Sequence, residues 1–500
     1  MISRKEVNSY SNMSPTFNDM ACSLAAAPKL PKGMVKETKK VIAIARKFNQ
    51  EVVRPYALEL DRKMHENPDY LAWDFVEKAN EWGFYTMWIP KIFGGKGYNM
   101  PSMAYFLEEI ASACLAMANL IGVHYLGIAT LSATWNMRLI NQLCRDVAAG
   151  EKNHTPCLIS LAITEPGAGT DVEELDLIDK GNITCNAEKV PGGYNINGTK
   201  VFISNGHISA WHIVVAYSDF KKPSENIVVL AVKTGTKGFS FGRQEHKMGQ
   251  KGCPASELIF KDCFVPDELV CINSQQMKGF KRTERDSAMQ MLHYVLAASR
   301  AGVGAFGTGA ARGAYEAALK FASETHVCGK LLINHEWAQC MLAEMYKNIS
   351  IARLSYVETN YANGIYGSFR EMQKKPMYYY YKMMPAKWLE KMFSSMMDKP
   401  VMTKMFRQKQ MDGQTDDEMH LTSGLGSLSK FCGTDIGIKN CHMALEMMGQ
   451  AGLRHDRGAE KIFRDAKLLQ IYEGTNQLNR LNLFKCLIAG DYPQAVVFDE

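Results

Sequence analysis

Along the first third of the chain, apolar positions recur at helical spacing. Val41, Ile42, Ala45, Phe48, Val52 and Val53 form one such stripe, and similar patterns run through Phe75–Phe84 and Met103–Leu126. The glycine-rich loop KIFGGKGYNMP, Lys91 to Pro101, punctuates them. After Cys157 the period shortens. LISLAIT, GYNINGTKVFIS, HIVVAY, NIVVLAV and ELIF are short apolar or β-branched runs between turn residues, and Asn197–Gly198 between two runs predicts a hairpin. This stretch reads as an antiparallel β domain.

Helical periodicity returns from about Gln275. The run Ser299–Ala322 is dense in glycine and alanine and lacks proline. Each interior glycine costs a helix about 1 kcal/mol relative to alanine. Such a helix is expected to be buried where another backbone comes very close. Trp337–Tyr361, Leu425–Gln450 and a last helix complete a predicted four-helix bundle. The pattern thus predicts a flexible arm over 1–33, a helical domain over 34–158, a β domain over 159–274, and a helical bundle over 275–490. An insertion at about 365–419 interrupts the bundle.

Composition adds three constraints. With 500 residues and 46% hydrophobic content, the chain can bury a large core in two or three domains. It has no continuous run of about 18 apolar residues, so no transmembrane helix is expected. The N-terminal twenty residues lack the apolar core of a secretory signal and carry Glu6 and Asp19, which suits a transit peptide poorly. Thirteen cysteines occur without any CxxC pair, and only Cys328 and Cys441 have a histidine close by. Neither a zinc or iron–sulfur site nor a disulfide framework is expected, so the metal expectation is none. Reduced thiols suit the bacterial cytoplasm, with the mitochondrial matrix as the alternative.

The net charge of +6 is concentrated in the insertion. Lys374–Lys409 holds nine Lys/Arg against Glu390 and Asp398, together with Tyr378–Tyr381, Trp388 and many methionines. One reading is an extra helical hairpin packed on the bundle or at a subunit interface. The other is a basic, aromatic surface over 374–409 that touches a membrane or an acidic partner. No general nucleic-acid surface is expected.

Three stretches could carry chemistry. In LAITEPGAGTD, Leu161–Asp171, a strand runs into glycines that let backbone approach a ligand, and Thr170 offers a hydroxyl. In NGTKVFISNG, Asn197–Gly206, Phe202, Ile203 and Ser204 present a ring, an apolar contact and a hydroxyl in succession. In RDAKLLQIYEGTNQLNR, Glu473 stands where a helix breaks at Gly474. Each alone is equally an ordinary turn, a half-buried strand or a helix-end glutamate.

Together, and in this order, these stretches resemble the acyl-CoA dehydrogenase family. Lys247–Pro266 and Gly329–Met345 carry the likeness too, which spans about Lys36 to Asp491. The resemblance implies an α+β architecture: an N-terminal helical domain, a middle antiparallel β-barrel-like domain and a C-terminal four-helix bundle. It implies FAD as cofactor, an acyl-CoA thioester as substrate, an electron-transferring flavoprotein as acceptor, and a homodimer or homotetramer. On matching positions, Leu161, Ile163, Thr164, Gly169, Thr170, Phe202, Ile203, Ser204, Thr475 and Gln477 would bind the flavin. Thr170, Arg300 and Gly474 would meet the substrate, and Glu473 would be the catalytic base. Where some relatives place the base on another helix, this chain has Ser299, so Glu473 is expected to have no local competitor.

Several positions depart from that pattern. Phe202 stands where tryptophan is usual. Thr325 and Cys328 stand where Arg and Phe help hold a neighbouring subunit's FAD, Glu446 where Gln is usual, and Gln450 where Gly is usual. An oxidase that returns electrons to oxygen, and a DNA-associated non-catalytic homologue of the fold, remain alternatives. The acyl group is not readable from the sequence.

Overall fold

The computed structural model describes residues 3, 5, 6, 21–492 and 494–498. Most of the expected arm lies outside the described residues. Its last part corrects the expectation: Cys22–Ala26 (α1) is a helix whose Cys22 and Ala26 are buried. The Ser23 N–H donates to Glu358 at 3.1 Å, which ties α1 to the C-terminal bundle.

The helical domain comprises Gly33–Phe48 (α2), Arg54–Glu66 (α3), Trp73–Glu81 (α4), Pro101–Ala111 (α5), Leu115–Ala133 (α6) and Met137–Lys152 (α7). Of these, α6 is long and apolar enough to cross a membrane, but 78% of it is buried. It is apolar all round because it is packed all round, between α5 and the sheet.

The sheet contains Leu158–Ala162 (β1), Asn186–Val190 (β2), Gly193–Ser204 (β3), Ser209–Tyr217 (β4), Ile227–Lys233 (β5), Phe239–Gln244 (β6), Ala255–Pro266 (β7) and Val270–Asn273 (β8). The order is β6-β7-β3-β2-β4-β5-β8, with β1 on β4. It is mixed rather than wholly antiparallel, since β1 and β2 both run parallel to β4. The β2–β3 hairpin separates β1 from β4 in sequence, so no tight turn forces the two antiparallel.

The predicted hairpin at Asn197–Gly198 is corrected as well. The turn is Pro191–Gly192, with Gly192 at φ +82°, and Val190 pairs with Gly193. Asn197–Gly198 lies inside β3, where the register against β7 shifts. Gly198 has φ +143°, and a Cβ there would sit 2.6 Å from the Cys185 Cα. The glycine therefore serves a bulge and a close approach, not a turn.

The bundle is built from Glu284–Glu324 (α8), Glu336–Tyr366 (α9), Asp416–Met448 (α13), Ala459–Leu468 (α14) and Asn476–Leu487 (α15). The glycine-rich part of α8 crosses α13 at backbone contact. A Cβ on Gly307 would lie 2.3 Å from the Gly433 carbonyl oxygen.

The insertion is not a hairpin. It forms a one-turn helix at Arg370–Gln373 and three longer helices, Lys375–Met383 (α10), Ala386–Met397 (α11) and Pro400–Met411 (α12). These fasten the bundle to the helical domain. Buried Arg407 donates to the Thr134 carbonyl at 2.9 Å and the Cys271 carbonyl at 2.7 Å. Arg145 pairs with Glu390, and the Tyr378 hydroxyl donates to Glu37 at 2.8 Å.

Candidate active site

The helical domain, the sheet and the bundle enclose a cavity of about 740 Å3. The first stretch enters it through Leu161, Ile163 and Thr164, then through Gly169 and Thr170. The second enters through Phe202, Ile203 and Ser204, and the third through Glu473 and Thr475. Three segments far apart in sequence therefore converge. Gln477 is exposed and stands outside the cavity, while Arg300 and Gly474 are buried behind its wall.

Local backbone geometry explains how the side chains are aimed. Phe202 has φ +58°, unusual for a bulky residue, where the β3 register shifts between Lys200 and Ile203. Its ring is 58% exposed and faces the cavity. Glu473 likewise has φ +57°, followed by Gly474 at +75°. Its helix ends earlier than the sequence suggests, at Leu468, so Glu473 lies in a connection rather than at a helix end.

That connection is held by its carbonyls. Arg300 Nε donates to the Glu473 carbonyl at 3.3 Å, and Lys430 Nζ donates to the Gly474 carbonyl at 2.7 Å. Asn479 Nδ2 donates to the Gly474 carbonyl at 2.9 Å. Strain of this kind persists only where the surroundings over-determine it. Among the described residues, the Glu473 N–H donates to no protein acceptor.

The Glu473 carboxylate accepts a hydrogen bond from Ser299 Oγ at 2.6 Å. Burial raises its pKa, against the Ser299 hydrogen bond and the charges of Arg300 and Lys430. A second carboxylate, Glu173, lines the same cavity, 3.5 Å from Arg300 Nη2, and its Oε2 makes no hydrogen bond. Burial, then the neighbouring Glu473 charge, push the Glu173 pKa up. Lys430 is fully buried, and burial lowers its pKa to about 7.

Glu173 corrects the expectation that Glu473 stands alone. The only sequence signal was its position just after the GAGTD turn. Lys430 was missed too, although a lysine between Leu428 and Phe431 on an apolar helix face hinted at burial.

The site fits a flavin. Thr164, Thr170 and Ser204 line the cavity, and among the described residues their hydroxyls hydrogen-bond to no protein group. A Cβ on Gly169 would meet nothing within 4 Å, which leaves room beside the backbone. Thr164 and Ser204 could meet the polar edge of the ring system, and Phe202 its face. Thr325, Cys328, Glu446 and Gln450 do not line this cavity. Away from the cavity, Asp61, His455 and Glu460 lie within metal-ligand reach of one another. Arg464 already bridges Asp61 and Glu460 at 2.7 and 2.6 Å and supplies the positive charge there.

Known proteins share this arrangement. The models for the acyl-CoA dehydrogenase N-terminal, middle and C-terminal domains match residues 36–151, 160–263, and 289–364 with 382–488. The chain is 28% identical to the cyclohex-1-ene-1-carbonyl-CoA dehydrogenase of Geobacter metallireducens, over 91% of this chain and 99% of that one. It is 25% identical to the probable acyl-CoA dehydrogenase fadE25 of Mycobacterium leprae, over 92% and 96%. Butyryl-CoA dehydrogenase from Megasphaera elsdenii has the same fold, with TM-score 0.68 at 22% identity over 90% of this chain and 98% of that one. Three consecutive domain models, in the family's order and over most of its length, show that the chain belongs to the acyl-CoA dehydrogenase family.

Proposed function

We propose that this enzyme oxidises an acyl-CoA thioester to the 2-enoyl-CoA with bound FAD, Glu473 removing the α-proton. The observation that carries this reading is a buried carboxylate with an uncommitted backbone N–H, both at one end of an apolar cavity. An α-proton of a thioester is too weakly acidic for a carboxylate unless the forming enolate oxygen is stabilised. In this reading the Glu473 N–H, which has no protein acceptor among the described residues, does so as part of an oxyanion hole. Burial strengthens Glu473 as a base, and Ser299 orients its carboxylate. When bound, the flavin supplies the acceptor for the β-hydride. Thr164, Thr170, Phe202 and Ser204 hold and cover that group, and the apolar walls exclude water. An electron-transferring flavoprotein is the onward acceptor in this reading.

The test is anaerobic titration of the FAD-loaded protein with an acyl-CoA panel, followed at the flavin absorbance. Bleaching that depends on Glu473 supports the reading. Peroxide formation on admitting air would replace the flavoprotein acceptor with oxygen. A protein that cannot be loaded with FAD would end the enzyme reading.

A further inference from the structure

We infer that the acyl pocket ends in an amide pair, Asn360 and Gln373, that selects an acyl chain carrying an uncharged hydroxyl or carboxamide at its far end. This rests on the acyl-CoA reading above and names its substrate class.

Most of the cavity wall away from Glu473 is hydrocarbon, from Met103, Ala104 and Leu107 of α5 and Val303 and Phe306 of α8. A plain fatty acyl chain would need the same character to the end. Instead Asn360 of α9 and Gln373, in the one-turn helix that opens the insertion, line the cavity. Gln373 is only 5% exposed, and among the described residues its Oε1 has no hydrogen-bond partner. The buried Asn360 Nδ2 has none either. Leaving such groups unpaired in an apolar pocket is costly, so a ligand that pairs them is favoured.

The neighbouring Asn363 shows the contrast. It also lines the cavity, but its Nδ2 donates to the Ala297 carbonyl at 2.9 Å and serves to pack α9 on α8. That hydrogen bond also fixes position, because Ala297 lies two residues before Ser299, which holds Glu473. Asn360 precedes Asn363 by less than one helical turn, so both amides stand on one side of α9.

One unpaired donor and one unpaired acceptor suit a group that does both. A hydroxyl or carboxamide qualifies, whereas a carboxylate only accepts. Nearby Arg370 does not line the cavity and already donates to the Tyr294 hydroxyl at 3.1 Å and the Gly367 and Gln410 carbonyls at 3.4 Å. Gln373 falls in the stretch between the two matched blocks of the C-terminal domain, whereas Asn360 lies inside the first of them.

The test is stopped-flow reduction of the FAD-loaded, full-length protein by straight-chain acyl-CoAs and by ω-hydroxyacyl-CoAs matched in heavy-atom count. The expected result is a preference of about tenfold or more for the hydroxy series at one chain length. Gln373→Leu with Asn360→Leu should reverse that preference while the variant keeps its flavin. Preference for hydrocarbon at every length in the wild type would overturn the inference and leave the dehydrogenase reading intact, as would a hydroxy preference unchanged by the double substitution. Reduction by neither series would overturn both.

Discussion

Lys200 and Glu165 form an ion pair at 2.8 Å with neither side chain exposed. Glu165 belongs to the TEPGAGT turn and Lys200 to the NGTKVFIS strand, so the pair clamps two cavity-forming segments together. Lys200 also donates to the Ile163 carbonyl at 2.9 Å, and the Glu165 carboxylate accepts from the N–H groups of Thr184 and Cys185. Removing one partner leaves a buried charge unpaired, at a cost of about 3–5 kcal/mol. Lys200→Met should lose stability of that order in urea unfolding and lose FAD affinity. Adding Glu165→Leu should recover part of the stability. A single variant as stable as wild type would refute the clamp.

The base assignment predicts that Glu473→Gln binds FAD with an unchanged spectrum but is reduced by acyl-CoA at least about a hundredfold more slowly. Ser299→Ala should show a smaller loss, because it orients the carboxylate without removing it. Equal rates for Glu473→Gln and wild type would overturn the assignment.

Glu173 and Glu473 titrate as a neighbouring pair, so their apparent pKa values belong to the pair. Both are raised by burial, and Glu173 is raised further by the Glu473 charge. The reduction rate should therefore climb with pH in a limb above the usual carboxylate range, as Glu473 ionises. Ionisation of Glu173 should add a second, higher inflection. Glu173→Gln should remove the higher step and keep the lower one. A wild-type profile with a single inflection would refute the coupling.

Three buried histidines set the acid limit of stability. His212 and His293 are held at pKa about 3 and His124 at about 4, each chiefly by burial. His124 shows why: its Nδ1 accepts from the Ile159 N–H and its Nε2 donates to the Tyr85 carbonyl, so no site is left for a second proton. A folded pKa below the unfolded value of about 6.5 means stability is complete above 6.5 and is lost as pH falls toward 4. At pH 5 each histidine should cost about 2 kcal/mol. Denaturation at pH 7 and pH 5 checks this, and His212→Gln should shrink the difference by about 2 kcal/mol, the share of one histidine.

Periodicity located most of the helices and strands, because core faces repeat at fixed spacing. It failed where a local signal had two uses. Asn-Gly favours a turn, but Gly198 is needed against Cys185, and the Pro-Gly just upstream makes the turn instead. The stretch before Glu473 reads as helical through Tyr472, yet the helix stops at Leu468, and Glu473 reaches the cavity from the connection beyond it. The motifs named the cavity residues contributed by the two sheet segments and by the Glu473 connection, but less than half of the whole lining. Glu173, Lys430 and Gln373 were not legible because what distinguishes them is burial beside residues far away in sequence. Arg300, expected at the substrate, is buried with its Nε donating to the Glu473 carbonyl, a contact the sequence did not indicate.

The segment that brings Gln373 to the cavity wall is continuous with the helices that fasten the bundle to the helical domain. Gln373 leads directly into α10, and Arg407 and Glu390 follow on α12 and α11. Pocket depth and interdomain attachment are therefore inherited as one unit. A descendant that acquires a new acyl preference by remodelling this insertion must also rebuild the joint between its domains.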